Sequence, residues 1–384
     1  MQIPQICGES AAGTSPATAE SVQPLTALKF KASDRFLKEL RKRVDAYFEK
    51  TGRSRRDCPT MYFKTATILA WFFGAYALLM FCVTSWWAVV PLAVVLGVAV
   101  AAIGFNIQHD GGHRAYSDRQ WVNKMMALTL DLMGGSSYLW DWKHNSIHHT
   151  YPNIDGHDDD INIGIFGRLS PTQKRYWFHR LQGIYLWALY GLLAIKWHFF
   201  DDFHNLAVGK INGHKIPRPR GKELLIFIGG KVVFFSMAFI VPMMLHPVWS
   251  VLTVYAIAAF VSGVVLSVVF QLAHCVEEAN FPMPVLEADG TLRMTNEWAV
   301  HQVETTVDFS RRNPILCWFL GGLNFQVEHH LFSRICHVHY PALSKEVEAV
   351  CREFGVRYAA NKSIFSAVAS HFRWLVLMGR PDMI

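Results

Sequence analysis

The hydrophobic positions of the chain are concentrated in two pairs of long apolar runs. The first pair covers residues 62–81 and 86–107, and the second pair covers residues 224–245 and 248–270. Each run is long enough to cross the hydrocarbon core of a bilayer as a helix, which takes roughly 20 residues. The connections within each pair leave room only for tight turns. The pattern therefore predicts four membrane helices that form two hairpins.

Segments of mixed character lie before and between these runs. Residues 36–48 place apolar side chains at helical spacing after Ser33, a candidate N-cap, and the opposite face is basic. Such a helix lies on a bilayer surface or packs on the soluble part of the protein, and the two roles are compatible. Residues 121–140 and 181–200 are semi-apolar, and we expect them to form helices at the interface or in a cap. Lys231 lies near one end of the third run, where we expect its flexible stem to reach the membrane surface.

These segments divide the chain into membrane and non-membrane parts. We predict a disordered tail (1–32), an amphipathic segment (33–61), a first hairpin (62–107), a cap segment (108–223), a second hairpin (224–270) and a second cap segment (271–384). The turns within the hairpins contain no Lys or Arg, whereas the first 64 residues contain twelve. By the positive-inside rule, we expect both termini and both cap segments to face the cytoplasm. The predicted fold is an all-α integral membrane protein with a cytosolic helical cap.

The composition agrees with a membrane protein. Hydrophobic residues make up 52% of the chain and charged residues only 17%, so the chain is more apolar than an average soluble domain. The net charge of +7 favours an anionic bilayer surface over nucleic acid as the partner. The seven cysteines show neither a CxxC pair nor the spacing of a disulfide framework. We therefore expect unpaired thiols in a reducing compartment.

Candidate metal chemistry is concentrated in three histidine-rich stretches. The second stretch reads HNSIHHTYPNIDGHDDD over residues 144–160. If residues 143–150 are helical, His144 and His148 share one face and His149 stands beside them. A lone histidine is usually a satisfied core or surface residue, but three at this spacing favour metal ligation.

The first and third stretches repeat this theme. His109 and His113 are four residues apart, and His329 and His330 form a doublet one turn after Gln326. The seven imidazoles of the three stretches exceed the needs of one zinc ion, which takes four ligands. They indicate two metal ions in a shared cavity, and imidazole suits iron, zinc or copper.

The predicted topology brings these stretches to one side of the membrane. His109 follows the second apolar run and His274 follows the fourth, so both emerge on the side of the cap segments. The second and third stretches belong to the cap segments themselves. We therefore expect every candidate ligand to meet beneath one membrane face.

The motifs HDGGH, HNSIHH and QVEHH, together with His274, resemble the three histidine boxes of membrane fatty acid desaturases. The stretches HHTYPNIDGHDDDI and GGLNFQVEHHLFSRICHVHYPAL are particularly similar to bacterial acyl-lipid or acyl-CoA desaturases related to the front-end, linoleoyl-CoA-like branch. The likeness runs from about Phe36 to the C-terminal region, and this set of motifs is highly specific. It implies a non-haem di-iron centre, four membrane spans, and a cytosolic cap with a buried acyl channel.

Carried over residue by residue, the resemblance implies a set of iron ligands and no catalytic residue beyond them. Gln326 stands where many relatives have a third-box histidine, and whether it binds iron directly or through water is open. Many front-end relatives carry a fused cytochrome domain with a His-Pro-Gly-Gly signature, which this sequence lacks. We therefore expect electrons from a separate ferredoxin- or cytochrome-type donor. The implied ligands are His109, His113, His144, His148, His149, His274, His329 and His330.

Other residues are candidates for supporting roles around these ligands. Polar side chains can orient ligand imidazoles through their Nδ1 atoms, and apolar ones can line the acyl channel, although ordinary packing is the alternative for each. The polar candidates are Asp110, His157, the aspartates 158 to 160 (Asp159 and Asp160 above all), His301, Asn324 and Glu328. The channel candidates are Trp140, Trp142, Phe325 and Leu331. His337 and His339 are expected to be supporting or surface residues.

The function expected from this pattern is oxygen-dependent insertion of a cis double bond into a long acyl chain in lipid biosynthesis. We expect two iron ions that cycle between Fe²⁺ and Fe³⁺, O₂ as co-substrate, and an acyl substrate carried by CoA, acyl carrier protein or a glycerolipid. The expected location is a bacterial inner membrane. Hydroxylation, or a second desaturation to an alkyne or conjugated product, is the alternative on the same scaffold. A histidine-rich metal transporter is a remote alternative, because the apolar runs carry no histidine or acidic residue in their middle.

Overall fold

The computed structural model describes residues 28–381 of the chain. In this part of the chain, four helices are long and apolar enough to cross a membrane. They are, in order, the first apolar helix (Pro59–Phe81), the second (Trp86–Gly112), the third (Lys222–Leu245) and the fourth (Val248–His274). They confirm the two predicted hairpins and the all-α membrane fold.

The second and third apolar helices each contain a π turn. The second is α-helical over Trp86–Ile103, continues as a π-helix over Gly104–Gln108, and ends in the α turn His109–Gly112. The third contains the π-helix Ser236–Ile240 just before Pro242, which has no backbone N–H to donate to a helical bond. Local widening at these points changes which side chains face the interior.

The remaining elements are short and form the cap next to the ends of the apolar helices. The α-helices are Arg35–Thr51, Gln120–Ala127, Thr129–Leu132, Ser137–Trp140, Gln182–Tyr190, Leu193–Lys196, Asp202–Val208, Trp298–Glu304, Pro314–Phe319, Gln326–Leu331, Tyr340–Phe354 and Ile364–Gly379. The other π-helices are Asp141–His148 and Trp197–Asp201, and the 3₁₀-helices are Asp159–Ile161, Gly164–Phe166, Trp177–Leu181 and His337–His339. Lys210–Ile211 pairs with His214–Lys215 and Val285–Leu286 with Leu292–Arg293, both antiparallel, and Asp308–Phe309 pairs with Ala360–Asn361 in parallel.

The amphipathic helix Arg35–Thr51 buries its apolar face against the cap. Phe36 and Leu40 pack in one cluster with Val327 and Val347 of the cap. The predicted cap at Ser33 is wrong, because Asp34 occupies the N-cap position and its side chain makes no capping bond.

The predicted disordered tail, residues 1–32, falls mostly outside the described residues. Its last part packs on the cap, where Leu28 is buried against Ile154 and Met294. The Lys29 amide also donates to the Leu292 carbonyl. Burial of an apolar side chain and pairing of a backbone N–H both stabilise this part of the chain.

Lys231 does not extend to the membrane surface, so that prediction is wrong. Its Nζ atom is buried and donates to the Asp202 carboxylate at 2.7 Å and to the Gly134 carbonyl at 2.5 Å. Because Lys231 belongs to the third apolar helix and Asp202 to the cap, the pair joins these two parts of the protein. Removing one member of such a buried ion pair leaves an uncompensated charge.

The semi-apolar residues 121–140 and 181–200 do not form single helices. Gly134 interrupts the first of these segments with a φ of 90°, which is a conformation that favours glycine. Each segment is divided into several short helices, and the second packs against the fourth apolar helix where Gly191 meets Phe260 and Gly263.

The close crossing of the second and fourth apolar helices at Gly97 generates a prediction about stability. A Cβ atom on Gly97 would lie 2.5 Å from the Ala258 carbonyl oxygen. Gly97→Ala should therefore force the helices apart and lower the free energy of unfolding by about 1–3 kcal/mol. Gly74→Ala in the first apolar helix is the matched control, because a Cβ there meets nothing within 4 Å. Thermal unfolding of the detergent-purified proteins measures the effect, and equal stability of the two variants would contradict this crossing.

Candidate metal centre

A buried group of histidines, the histidine cluster, lies where the apolar helices meet the cap. Each member exposes at most 9% of its surface. The ring centroids lie as close as 4.3 Å for His149 and His330 and 4.4 Å for His109 and His329. The structure thus brings together every histidine ligand that the sequence predicts. The members are His109, His113, His144, His148, His149, His274, His329 and His330.

The second histidine stretch is a π-helix, and this explains why three of its imidazoles face the same way. The π-helix covers Asp141–His148, and the His149 amide donates to the His144 carbonyl five residues earlier. In an α-helix, with 3.6 residues per turn, a residue five positions on is rotated by about 140°. The i→i+5 bonding of a π-helix instead places it close to one full turn along. The predicted helix is therefore present, in the wider form that brings His149 beside His144 and His148.

The apolar helices carry two cluster members within their ends. His109 begins the last α turn of the second apolar helix, and His274 is the last residue of the fourth. Both residues lie past the apolar runs of the sequence, 86–107 and 248–270, and both helices extend beyond these runs. The helices therefore hold both imidazoles rigidly against the histidines of the cap.

Within the described residues, the candidate ligand nitrogens form two main sets. The atoms of each set lie within 4.8 Å of one another. One set is His109, His113, His144 and His329, and the other is His148, His274 and His330. His149 forms a further set with His329 and His330 and so lies between the two. This arrangement suits two neighbouring metal ions.

The ring nitrogens of the cluster fit metal ions because most of them have no other partner. Among residues 28–381, seven of the eight histidines have a buried Nε2 atom without a hydrogen bond, the exception being His274. A buried polar atom without a partner costs about 1–3 kcal/mol. Seven such atoms around one cavity are accounted for if they donate their lone pairs to metal.

Other side chains engage the opposite ring nitrogens and leave the Nε2 lone pairs free. His148 Nδ1 lies 3.1 Å from both carboxylate oxygens of Asp158, and His330 Nδ1 lies 2.8 Å from Gln302 Oε1. Because a carboxylate and an amide oxygen can only accept, each Nδ1 carries the proton and donates. Such partners set the ring orientation and increase ligand basicity.

The surroundings of the cluster shift the pKa values of its histidines in two directions. Burial, reinforced by neighbouring imidazoles, lowers the pKa of His149, His329 and His330 well below the ordinary value. Burial also opposes the charged form of His148, but the carboxylates of Asp158 and Asp160 together raise its pKa. Since metal binding requires neutral imidazole, the three low pKa values keep those rings ready as ligands.

The aspartates after the second stretch differ in what they contact. Asp160 lies 3.6 Å from His144 Nδ1 and 3.7 Å from His148 Nδ1, as expected for an orienting residue. Asp159 instead forms an ion pair with Lys143 at 2.9 Å. Asp158 is the residue that bonds His148 most directly.

Asp110 and Glu328 bond to residues outside the histidine cluster. Asp110 accepts from His337 Nδ1 at 2.9 Å, and Glu328 accepts from the Tyr358 hydroxyl at 3.0 Å. Both acids adjoin a cluster histidine in sequence, but one step along a helix rotates the side chain by about 100°. Their contacts do not support the expectation that they orient ligand imidazoles.

The other three polar candidates also have partners elsewhere. His301 Nε2 contacts the Pro152 carbonyl at 3.0 Å, and Asn324 Nδ2 donates to Cys317 Sγ at 3.3 Å. The His157 ring lies between those of Tyr151 and His214, with centroids 5.2 and 5.4 Å away. These contacts support packing of the surrounding cap and do not reach the cluster.

Gln302 is the supporting residue that sequence reasoning did not assign. It is fully buried, and only the fold brings its amide to His330, which is far away in sequence. The available signal was a polar residue inside the largely apolar segment around Trp298–Glu304. That signal identifies a buried polar side chain but not its partner.

The four channel candidates occupy different places. The Trp140 ring stacks on His144 at 4.6 Å and also meets the rings of His109 and His113. Trp140 also lines a cavity of about 440 Å³ between the cap helices. The other three candidates lie elsewhere: Trp142 packs beside Leu139, Phe325 packs on Phe48, and Leu331 packs on Phe36. Trp140 is thus the candidate whose ring joins a cavity to the cluster.

Gln326 lies at the edge of the cluster beside His274. Its amide nitrogen is 2.9 Å from His274 Nε2, and its Oε1 atom is buried without a partner. The side chain therefore reaches the same space as the second set of histidines.

The contact between Gln302 and His330 leads to a prediction about metal affinity. Gln302→Leu removes the acceptor for His330 Nδ1, and loss of such a partner typically weakens metal binding by about 10–100-fold. Gln302→Glu keeps an oxygen acceptor and is the matched variant. Metal content and metal titration of the purified proteins measure the effect. Equal affinity in the wild type and Gln302→Leu would show that this bond does not support the site.

Comparison with known proteins agrees with the geometry of the site. Residues 84–362 match the family model described as fatty acid desaturase. The sn-1 linoleoyl-lipid 6-desaturase of Arthrospira platensis is 42% identical over 345 residues, which cover 89% of this chain and 92% of that protein. The corresponding enzyme of Synechocystis sp. is 39% identical over 356 residues, or 92% and 98% of the two chains. The acyl-lipid (8-3)-desaturase of Physcomitrium patens is 36% identical over 347 residues, or 89% of this chain and 71% of that protein.

The family match extends from the second apolar helix over the third and fourth and over all three histidine stretches. The matches agree with the four apolar helices and the buried histidine cluster, and they support an oxidoreductase that acts on fatty acyl chains. The chain belongs to the fatty acid desaturase family.

Proposed function

We propose that this protein inserts a cis double bond into the acyl chain of a membrane glycerolipid at a centre of two iron ions. The observation that carries the proposal is the division of the eight buried histidines into two sets joined by His149. One metal ion could not use this many imidazoles. All eight are proposed as iron ligands, with Gln326 as a ligand or as a partner of a bound water.

Iron is the metal that best fits both the ligands and the chemistry. Zinc has no redox chemistry and so could not support an oxidation. Imidazoles bind iron well, and they are not soft reductants as thiolates would be. When bound, iron supplies, with dioxygen and two electrons, the oxidising power needed to remove hydrogen from an unactivated methylene group. The residues of the chain position the substrate and keep water out.

The cavity beside Trp140 is the proposed route for the acyl chain. Its lining includes the apolar side chains of Leu130, Leu139 and Trp140. It also includes Lys143 and Lys196, each paired with an aspartate that lines the same cavity. The apolar side chains suit methylene groups, whereas the charged pairs suit the polar head of a lipid. The Trp140 ring lies between this cavity and the imidazoles of the cluster, so it would set how closely a methylene approaches the metal.

The proposed position of the new double bond is the 6 position of the acyl chain. Two relatives that match almost the whole chain are named as sn-1 linoleoyl-lipid 6-desaturases. Their names also support a glycerolipid over CoA or an acyl carrier protein as the carrier. Desaturation, hydroxylation and alkyne formation use the same oxidant. Hydroxylation or formation of an alkyne would therefore need only a different placement of the acyl chain.

The remaining proposals concern orientation and electron supply. The basic amino-terminal region supports a cytoplasmic location for the cap, in a bacterial inner membrane. A separate ferredoxin- or cytochrome-type protein is proposed as the electron donor. A metal transporter is disfavoured, because the histidine cluster lies at the ends of the apolar helices and not near the middle of the membrane.

Expression in bacteria that lack similar enzymes tests the reaction. The wild type should produce a fatty acid with a new cis double bond at the 6 position, which gas chromatography–mass spectrometry of double-bond derivatives locates. His329→Ala should lose the product and the iron, because His329 belongs to two of the nitrogen sets. His246→Ala is the control, since His246 contacts the Met80 carbonyl at the opposite ends of the apolar helices. A hydroxylated or alkynyl product would replace desaturation with the alternative outcome, and activity in His329→Ala would refute the site.

Replacement of Trp140 tests the proposed route. Trp140→Ala should keep its iron but lose about 100-fold in activity, since a small misplacement of the reacting group can cost that much. Trp142→Ala is the matched control, because this ring packs beside Leu139 and not on the cluster. Equal activities of these two variants, measured as product per bound iron, would place the acyl chain elsewhere.

A further inference from the structure

Two buried thiols lie side by side outside the histidine cluster. Cys58 immediately precedes the first apolar helix, and Cys336 follows the third histidine stretch. Both belong to one small buried cluster that also contains Tyr116. Cys58 exposes 7% of its surface and Cys336 none. The fold thus brings into one buried cluster two cysteines that are far apart in sequence.

The surrounding contacts fix the positions of the two cysteine segments relative to each other. The Cys336 amide donates to the Arg55 carbonyl at 2.9 Å. His339 Nε2 lies 2.9 Å from the Ser54 carbonyl and 3.2 Å from Cys58 Sγ. The segment before the first apolar helix is therefore bound to the segment after the third histidine stretch at several points.

The two thiols differ in their readiness to react. The neighbouring Cys336 thiol, with the nearby His339 ring, lowers the pKa of Cys58, while the Cys58 thiol and burial raise the pKa of Cys336. Position at the start of a long helix also favours a thiolate. Since the thiolate is the nucleophile, Cys58 is the attacking residue and Cys336 is the thiol that resolves the product.

A cavity of about 570 Å³ lies next to this pair. Pro59 and His337, which adjoin the two cysteines in sequence, both line it. Cys317 lines the same cavity, but its Sγ atom contacts the Asn324 amide and backbone carbonyls. Cys317 thus lines the same cavity, but its sulfur contacts an amide and carbonyl groups instead of a second thiol.

Metal binding is a less suitable use of these residues. Asp110, Cys336 and His337 have ligand atoms within 4.8 Å of one another. However, His337 Nδ1 already bonds Asp110, and its Nε2 lies 2.9 Å from the Lys64 ammonium. A second cation would be repelled by this ammonium group, so thiol chemistry fits the pair better.

We propose that Cys58 and Cys336 form a reversible disulfide when the protein meets hydrogen peroxide. The Cys58 sulfur attacks one peroxide oxygen, the O–O bond breaks, and the products are a sulfenic acid and, after protonation, water. The Cys336 sulfur then attacks the Cys58 sulfur, the S–S bond forms as the S–O bond breaks, and the Cys336 proton leaves with hydroxide as a second water. The two thiols lose two electrons and peroxide gains them. A dithiol reductant reverses the change by exchange and becomes a disulfide itself. This proposal does not depend on the proposed function.

Peptide mapping of the full-length protein tests the proposal. The purified protein is treated with hydrogen peroxide, free thiols are alkylated under denaturing conditions, and linked peptides are identified by mass spectrometry. The Cys58–Cys336 peptide should appear after peroxide and disappear after dithiothreitol. Complete alkylation of both cysteines after peroxide would overturn the proposal, and so would irreversible oxidation of Cys58 without the link.

Matched variants identify the partner. The linked peptide should be lost in Cys58→Ser and Cys336→Ser, and Cys336→Ser should instead accumulate the sulfenic acid, which a dimedone-type reagent traps on Cys58. Cys317→Ser should form as much of the linked peptide as the wild type does. If Cys317→Ser abolishes the Cys58–Cys336 link, or if Cys58 pairs mainly with Cys317 in the wild type, the assignment is wrong.

Discussion

The burial of eight imidazoles in one space is the constraint on which the rest of the structure depends. Nearly all buried polar groups in proteins have a partner, and seven of these rings have an Nε2 atom without a partner in the described part of the chain. Metal ions can bind all of these Nε2 atoms only if four separate parts of the chain meet in one place. The apolar helices and the cap therefore have to be positioned relative to one another as one rigid unit.

Departures from the regular α-helix make this convergence possible. The π turn Gly104–Gln108 precedes His109, and the π-helix Asp141–His148 carries the second histidine stretch. Each i→i+5 turn shifts the facing side chains by about one residue relative to an α-helix. In the second stretch this shift directs the imidazole of His149 to the same side as that of His144. Unusual backbone geometry is thus located where ligands must converge.

Charged and polar pairs connect the membrane part to the cap around this centre. Lys231 and Asp202 form a buried ion pair at one side, and Lys64, His337 and Asp110 form a hydrogen-bonded chain at another. Such groups are costly to bury unless they are paired, so they specify how the two parts fit together. The neighbouring Cys58 and Cys336 lie in a buried cluster at the same junction.

The sequence alone determined the four apolar helices, because length and hydropathy suffice when a bilayer is the solvent. Local spacing also identified seven of the eight histidines, whereas His274 was added by its position after the fourth apolar run and by the resemblance to desaturases. The tertiary structure alone decided that Gln302 supports His330, that Lys231 is buried, and that Phe325 and Leu331 pack on the amino-terminal helix. These contacts join distant parts of the chain. The directions of the side chains also depend on π turns, which no local sequence pattern predicts. Periodicity identifies a face of a helix, whereas only packing decides what that face meets.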